Sequence, residues 1–292
     1  MEMWIVYALI GTLFGGINVV LAKTGVKDVN SHLATAVRTV VIVVMSWIVV
    51  FAFGSHTELA DVSARTWIFL IASGLATGAS WLCYLYALKY GTVSNVTPLK
   101  KSSTVLTIIL AFIILREPFG LPQVAGMVFI LAGTVFMLKK KDGSIGKSEG
   151  GGNWLLFGIL AAVFASLRTI FGSIGIHDVD ANLGNAIRVV VVLIASWGIV
   201  FLTGNQKGIK NISKKSLLFL TLSGLATGGN WLFFFRALQT GPVSVIVPLD
   251  KLSVIFNIIF AVIFLKEKQS FKRLIGVSCL IIGTLILVLL NT

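Results

Sequence analysis

The sequence predicts an all-α integral membrane protein of ten transmembrane helices, arranged as a five-plus-five inverted-topology repeat. Three observations carry that reading. Hydrophobic residues make up 57% of the 292-residue chain and charged residues only 12%, with a mean hydropathy of +0.97. Such a composition lies far outside that of soluble domains. Residues 69–117 recur at a constant offset of 150 as residues 219–267. The register extends through both halves, pairing Trp4 with Trp154, Asp28 with Asp178, Trp47 with Trp197, Gly126 with Gly276 and Gly133 with Gly283. Each copy contains five apolar runs, an odd number, so the second copy is inserted upside down relative to the first.

The spans fall near 4–22, 33–53, 67–88, 93–115 and 121–138, then 154–172, 183–203, 217–238, 243–265 and 273–290. Each is close to the roughly 20 apolar residues that cross a bilayer core. Helices are expected throughout, because a lone strand in lipid leaves its backbone polar groups unsatisfied and no alternating barrel pattern is present. The first span is expected to stay, since Met1-Glu2-Met3 puts an acidic residue where a cleavable signal carries basic ones. Between the copies, 139–153 (KKKDGSIGKSEGGGN) reads as a flexible polar linker joining repeat 1 (1–138) to repeat 2 (154–292). Its Gly146-Lys147-Ser148 superficially looks like a phosphate-binding loop, but Lys141 stands where that motif needs glycine and no strand precedes it.

Loop charges agree with inversion, because loops facing opposite sides carry opposite lysine bias. The loop with His56, Glu58, Asp61 and Arg65 corresponds to one with Lys207, Lys210, Lys214 and Lys215. Arg116-Glu117 likewise becomes Lys266, Lys268, Lys272 and Arg273, while Lys23 and Lys27 become Ser173 and His177. The net charge of +13 is therefore topological and does not signal nucleic acid. Most Lys and Arg follow odd-numbered spans, which puts those loops in the cytoplasm and both termini outside, in the inner membrane of a prokaryotic cell.

Charge forced into hydrocarbon marks the candidate site. Lys100 and Lys101 lie about 11 Å along the fourth span at helical rise, near the midplane. Asp250 and Lys251 occupy the same depth in the ninth, entered from the opposite face. Ionisable groups inside the membrane are costly and face a cavity or a partner, so this cluster either binds a ligand or pins the two repeats together. Pro98 and Pro248, just upstream, each free a carbonyl four residues earlier, or else sit harmlessly near a helix start. Arg38 and Arg188 line the cavity or snorkel to the interface. Gly74-x-x-x-Gly78 and Gly224-x-x-x-Gly228 allow close helix packing. One turn on, Thr77, Ser80, Trp81 and Tyr84, with Thr227, Asn230 and Trp231 in the second copy, are candidate cavity-lining residues.

The repeated SGLATG-x-x-W, the following Ala-Leu, Gly-x-Val-Ser, Pro-Leu-x-Lys-x-Ser and the terminal Arg/Lys-Glu resemble the EamA-type repeat of the drug/metabolite transporter superfamily. The resemblance covers both halves and is similar to the branch in which single-repeat proteins also exist. It implies ten helices, an inverted repeat, a central cavity and alternating access. It implies no particular substrate.

Other functions lack their machinery. There is no His-Glu-x-x-His and no Gly-x-Ser-x-Gly, and His32, His56 and His177 are not paired at ligand spacing, so neither an enzyme, a metal site nor a cofactor is expected. Cys83 and Cys279 match no redox spacing. Residues 4–21 carry no acidic residue, whereas the small multidrug relatives look to depend on a glutamate in their first helix. Away from their ends, the spans hold Arg38, Lys100, Lys101, Arg168, Arg188 and Lys251 against one mid-helix carboxylate, Asp250. The expectation is a secondary transporter, functional as a monomer among membrane lipids. Its small-molecule substrate is polar, anionic or zwitterionic, and is held by Lys101 or Lys251. A flippase for a lipid-linked sugar or lipid phosphate, and a non-transporting membrane subunit, are the alternatives.

Overall fold

The computed structural model describes residues 2–25, 29–90, 96, 102–136, 153–256, 259, 263 and 271–290. Pro98, Lys100, Lys101 and the 139–152 part of the linker lie outside the described residues. The described chain is helical throughout, with no strand: α1 Met3–Gly25, α2 Ser31–Ala52, α3 Ala64–Tyr90, α4 Ser103–Leu115, α5 Leu121–Phe136, α6 Trp154–Gly175, α7 Ala181–Leu202, α8 Lys214–Thr240, α9 Val243–Lys251 and α10 Phe271–Leu289. Short 3-10 turns at Ser55–Asp61 and Asn205–Asn211 precede α3 and α8. Six helices, α1, α2, α3, α6, α7 and α8, are long and apolar enough to cross a membrane, and α4, α5 and residues 274–289 are shorter apolar helices.

The helix limits follow from local chemistry. Asn30 caps α2, its Oδ1 accepting from the His32 N–H at 2.9 Å. Asp180 caps α7 at the equivalent position, accepting from Asn182 and Leu183. Both helices end where Gly54 and Gly204 enter the left-handed region at φ 74° and 70°, a conformation that disfavours side chains and stops the helix. Ser213 caps α8 by accepting from the Ser216 N–H at 3.1 Å.

One expectation is corrected. The span 243–265 does not run as one uninterrupted helix: α9 ends at Lys251, Leu252 forms a turn, and the chain is helical again from 253. Pro248 lies inside α9 and has no N–H to donate, and beyond it the ladder tightens, with Leu252 N–H donating to the Leu249 carbonyl at 2.9 Å. Ser102, the counterpart of Leu252, is likewise a turn residue before α4.

The chain divides into two compact units that do not coincide with the sequence repeats. The first comprises Met1–Leu75, Phe171–Gly241 and Ser253–Glu267, and the second Ala76–Ile170, Pro242–Leu252 and Lys268–Thr292. In the first, α1 packs on α8, and α2 packs on α7 and α8. Leu33, Ala36 and Val200 form a buried cluster there, flanked by Val37 and Trp197. In the second, α5 packs on α10 and α4 on α9. Ile108, Met127, Ile130, Leu280 and Leu287 are its buried cluster.

Packing across the copies is reciprocal. A Cβ on Gly133 would stand 2.6 Å from the Gly276 carbonyl oxygen, and one on Gly283 would stand 2.9 Å from that of Gly126. Gly74 closes onto Val191 and the Arg188 carbonyl, while Gly224 closes onto Val41 and the Arg38 carbonyl. Gly25 meets Leu220, and Gly175 meets Leu70. In each pair the residue and its contact are exchanged at an offset of 150, the behaviour of surfaces related by a two-fold axis.

Large apolar side chains face outward along these helices, Ile68 and Ile194 being 65% and 68% exposed, whereas Ser46, Ser73, Ser166, Asn185 and Ser223 are buried. Apolar outside and polar inside is the arrangement that lipid selects. The protein is an integral, multi-pass membrane protein.

Candidate functional site

In the first unit, α1, α2 and α8 converge on Arg38. Its Nη2 donates to Asn18 Oδ1 at 2.7 Å and to Thr227 Oγ1 at 2.6 Å. Asn18 Oδ1 also accepts from Ser223 at 2.7 Å, and Thr227 passes its own proton to the Ser223 carbonyl at 2.8 Å. A guanidinium has only donors, so each acceptor near it is accounted for by type. Here both acceptors are neutral, and Arg38 Nε, buried, makes no hydrogen bond among the described residues. The side chain is half-buried and lies close to polar, uncharged atoms.

Arg188, at the same position of the second copy, is held differently. It is fully buried, with its guanidinium carbon 4.5 Å from the Trp231 ring centre and 4.3 Å from that of Phe235. Its Nη2 donates to Asn185 Oδ1 at 3.1 Å, and Asn185 donates in turn to Ser46 at 3.4 Å. A desolvated cation between two aromatic faces gains about 2 kcal/mol from the ring quadrupoles. Trp231, a candidate lining residue, is therefore also one wall of this aromatic clasp.

Asn230 and Ser80 turn their polar groups to neighbouring backbones. Asn230 Nδ2 donates to the Gly11 carbonyl at 2.7 Å, and Ser80 Oγ donates to the Ala161 carbonyl at 2.8 Å. These are equivalent bonds in the two copies, tying α8 to α1 and α3 to α6. Thr77 is buried in α3, and Trp81 and Tyr84 are half-buried on it.

In the second unit, Asp250 and Lys251 stand at the C-terminal end of α9, with Lys251 Nζ 3.3 Å from Asp250 Oδ2. Lys251 lies where the helix dipole favours a cation. Arg168, in the middle of α6, also lies within electrostatic reach of Asp250. One carboxylate thus pairs with Lys251, with Arg168 in its neighbourhood, beside a helix break. The Lys100 and Lys101 half of the expected cluster lies outside the described residues.

Two participants escaped the list of site candidates. Arg168 was legible as an embedded cation, and its lack of an acidic neighbour in sequence hid its link to Asp250. Asn18 had a cleaner signal, since it is the counterpart of Arg168.

Comparison with known proteins fixes the family. The EamA-like transporter family matches residues 2–139 and again 152–289. An "Uncharacterized transporter in cobO 3'region" from Sinorhizobium sp is 41% identical over 135 residues, which are 46% of this chain and 96% of that protein. That relative has the length of a single repeat. "Solute carrier family 35 member G1" from Homo sapiens is 28% identical over 228 residues, covering 73% of this chain and 60% of the human protein. An "Uncharacterized transporter" from Archaeoglobus fulgidus is 22% identical over 285 residues, 98% of each chain. A solved crystal structure superposes with a TM-score of 0.79 at 15% identity, covering 100% of this chain and 98% of the other, and so shares the fold. With both halves matched and the apolar helices in place, the chain belongs to the EamA-like transporter family.

Proposed function

We propose that the protein is a secondary transporter that carries a small polar solute with a carboxylate or phosphate group. It works by alternating access through a ten-span, five-plus-five inverted arrangement. The observation that carries this reading is the charge balance inside the spans: leaving aside Arg236 and Arg273 at span ends, six Lys or Arg stand against the single carboxylate of Asp250. A buried cation is expensive without a counter-charge, and an anionic group arriving with the solute supplies one. Reciprocal packing between the copies supports the alternating-access part, because two-fold-related halves can exchange conformations around a shared site. The half-helix ending at Asp250 and Lys251 supports a site at that depth, since broken helices are where such proteins bind.

Flux into proteoliposomes, measured with amino acids, sugar phosphates and nucleotides, tests the reading. Uptake of at least one acidic or zwitterionic solute is expected, reduced tenfold or more by Lys251→Met. A best substrate that is a permanent cation without an acidic group overturns it. So does wild-type uptake in Lys251→Met. Translocation of a lipid-linked sugar in place of any soluble solute converts the assignment to a flippase.

A further inference from the structure

Several of the described helices bring their own cap. Asn30, Asp180 and Ser213 each accept from the first turn of the helix that they precede. α9 does not: it starts from Gly241-Pro242, and Pro242 has no side chain that can accept. Its first free donors are taken by another part of the chain. Val243 N–H donates to Glu117 Oε1 at 2.6 Å, and Ser244 N–H donates to Glu117 Oε2 at 2.9 Å. A carboxylate chelating two orphan amides at the positive end of a helix forms charge-assisted bonds, stronger than those of a neutral cap.

Glu117 belongs to the first copy and α9 to the second, so this cap is a bond between repeats. The turn that presents it is under strain. Arg116 sits at φ 56°, ψ 33°, the only non-glycine with positive φ among the described residues, and the N–H groups of Arg116 and Glu117 both close onto the Ala111 carbonyl. A left-handed non-glycine costs about 1 kcal/mol or more and persists where its surroundings require it. Ending α4 this way is what aims the next side chain at α9. The other end of α9 carries Asp250 and Lys251, about 11 Å away at helical rise.

We propose that Glu117 is a positioning residue, an inter-repeat clasp that fixes the nine-residue half-helix α9 and, through it, the placement of Asp250 and Lys251 relative to Arg168. This rests on the transport reading for its importance to function, but not for its geometry. Without the clasp, α9 has Pro248 inside, a turn at Leu252 and no cap, so it loosens locally while the rest of the fold stands.

Thiol labelling of the purified full-length protein tests this without any solute. In a background with Cys83→Ala and Cys279→Ala, Ser244→Cys keeps the backbone donor and places a buried thiol in the first turn of α9, while Ser46→Cys reports a buried site in α2. Glu117→Leu is expected to speed maleimide labelling at Ser244→Cys tenfold or more and to leave Ser46→Cys unchanged. Glu117→Gln, which retains one acceptor oxygen, falls between. Unchanged labelling at Ser244→Cys overturns the clasp, and so does an equal rise at both thiols, which marks general loosening. If Glu117→Leu does not fold, Glu117→Gln carries the comparison, with a threefold rise expected and none overturning it. Labelling as expected in a protein that moves no solute removes the transport reading alone. Robust flux with unchanged labelling removes the clasp alone.

Discussion

Arg38 and Arg188 occupy one position of the repeat, yet the two copies solve the same problem by different means. Arg38 is half-buried and bonded to Asn18 and Thr227. Arg188 is fully buried between Trp231 and Phe235. The cause is visible in the sequence once the structure points to it. The counterpart of Asn18 is Arg168, which has donors only and cannot receive a hydrogen bond from Arg188. The counterpart of Phe235 is Leu85, so the first copy lacks the second ring. Asp250, within electrostatic reach of Arg168, stands where the first copy has Lys100. The copies thus differ at several linked positions, one with an arginine among neutral groups and the other with an arginine walled in by rings. The first arrangement leaves charge available, and the second uses it for packing.

The largest effect expected separates those roles. Arg188→Ala empties a fully buried site and strands Asn185, which is expected to cost about 3 kcal/mol of stability. Arg38→Ala removes a half-buried side chain and is expected to cost about 1–2 kcal/mol. Equilibrium unfolding in mixed detergent micelles measures both, and equal losses would break the comparison.

Next come the positions where the copies agree. Gly133→Ala and Gly283→Ala each drive a methyl into the opposite backbone, so each is expected to cost about 1–3 kcal/mol, and about the same as the other. Unequal losses in the same unfolding assay would show that the reciprocity of α5 and α10 is not energetic.

A functional contrast sharpens the reading of Arg38. Asn18→Asp gives that guanidinium a carboxylate, so stability should hold or rise while the KM for an acidic solute increases about tenfold, roughly 1.4 kcal/mol. Unchanged KM would take Arg38 out of substrate binding.

The smallest effect concerns the loop before α7. Gln239 Nε2 donates to the Ile176 and Val179 carbonyls at 3.0 and 2.7 Å, and Arg236 pairs with Asp180 at 3.0 Å. Their counterparts, Lys89, Tyr86 and Asn30, carry no such ion pair in their chemistry. Gln239→Ala is expected to cost about 1 kcal/mol, with faster amide exchange confined to 176–180.

The sequence alone determined the solvent, the duplication, the apolar runs and the family, because these depend on composition and on a fixed offset of 150 that survives divergence. It also singled out the residues whose charge is out of place in hydrocarbon, Asp250 and Lys251 among them. What it could not decide is which neutral or charged group each of them meets. Asn18 meeting Arg38 and Glu117 meeting the first amides of α9 join residues 20 and 126 positions apart. Hydropathy treats a span as a cylinder, so it ran 243–265 through as one helix, whereas the break at Leu252 depends on how the ladder closes after Pro248. A hydrogen bond is decided by ångströms and angles. Only the packed chain brings such groups within that range.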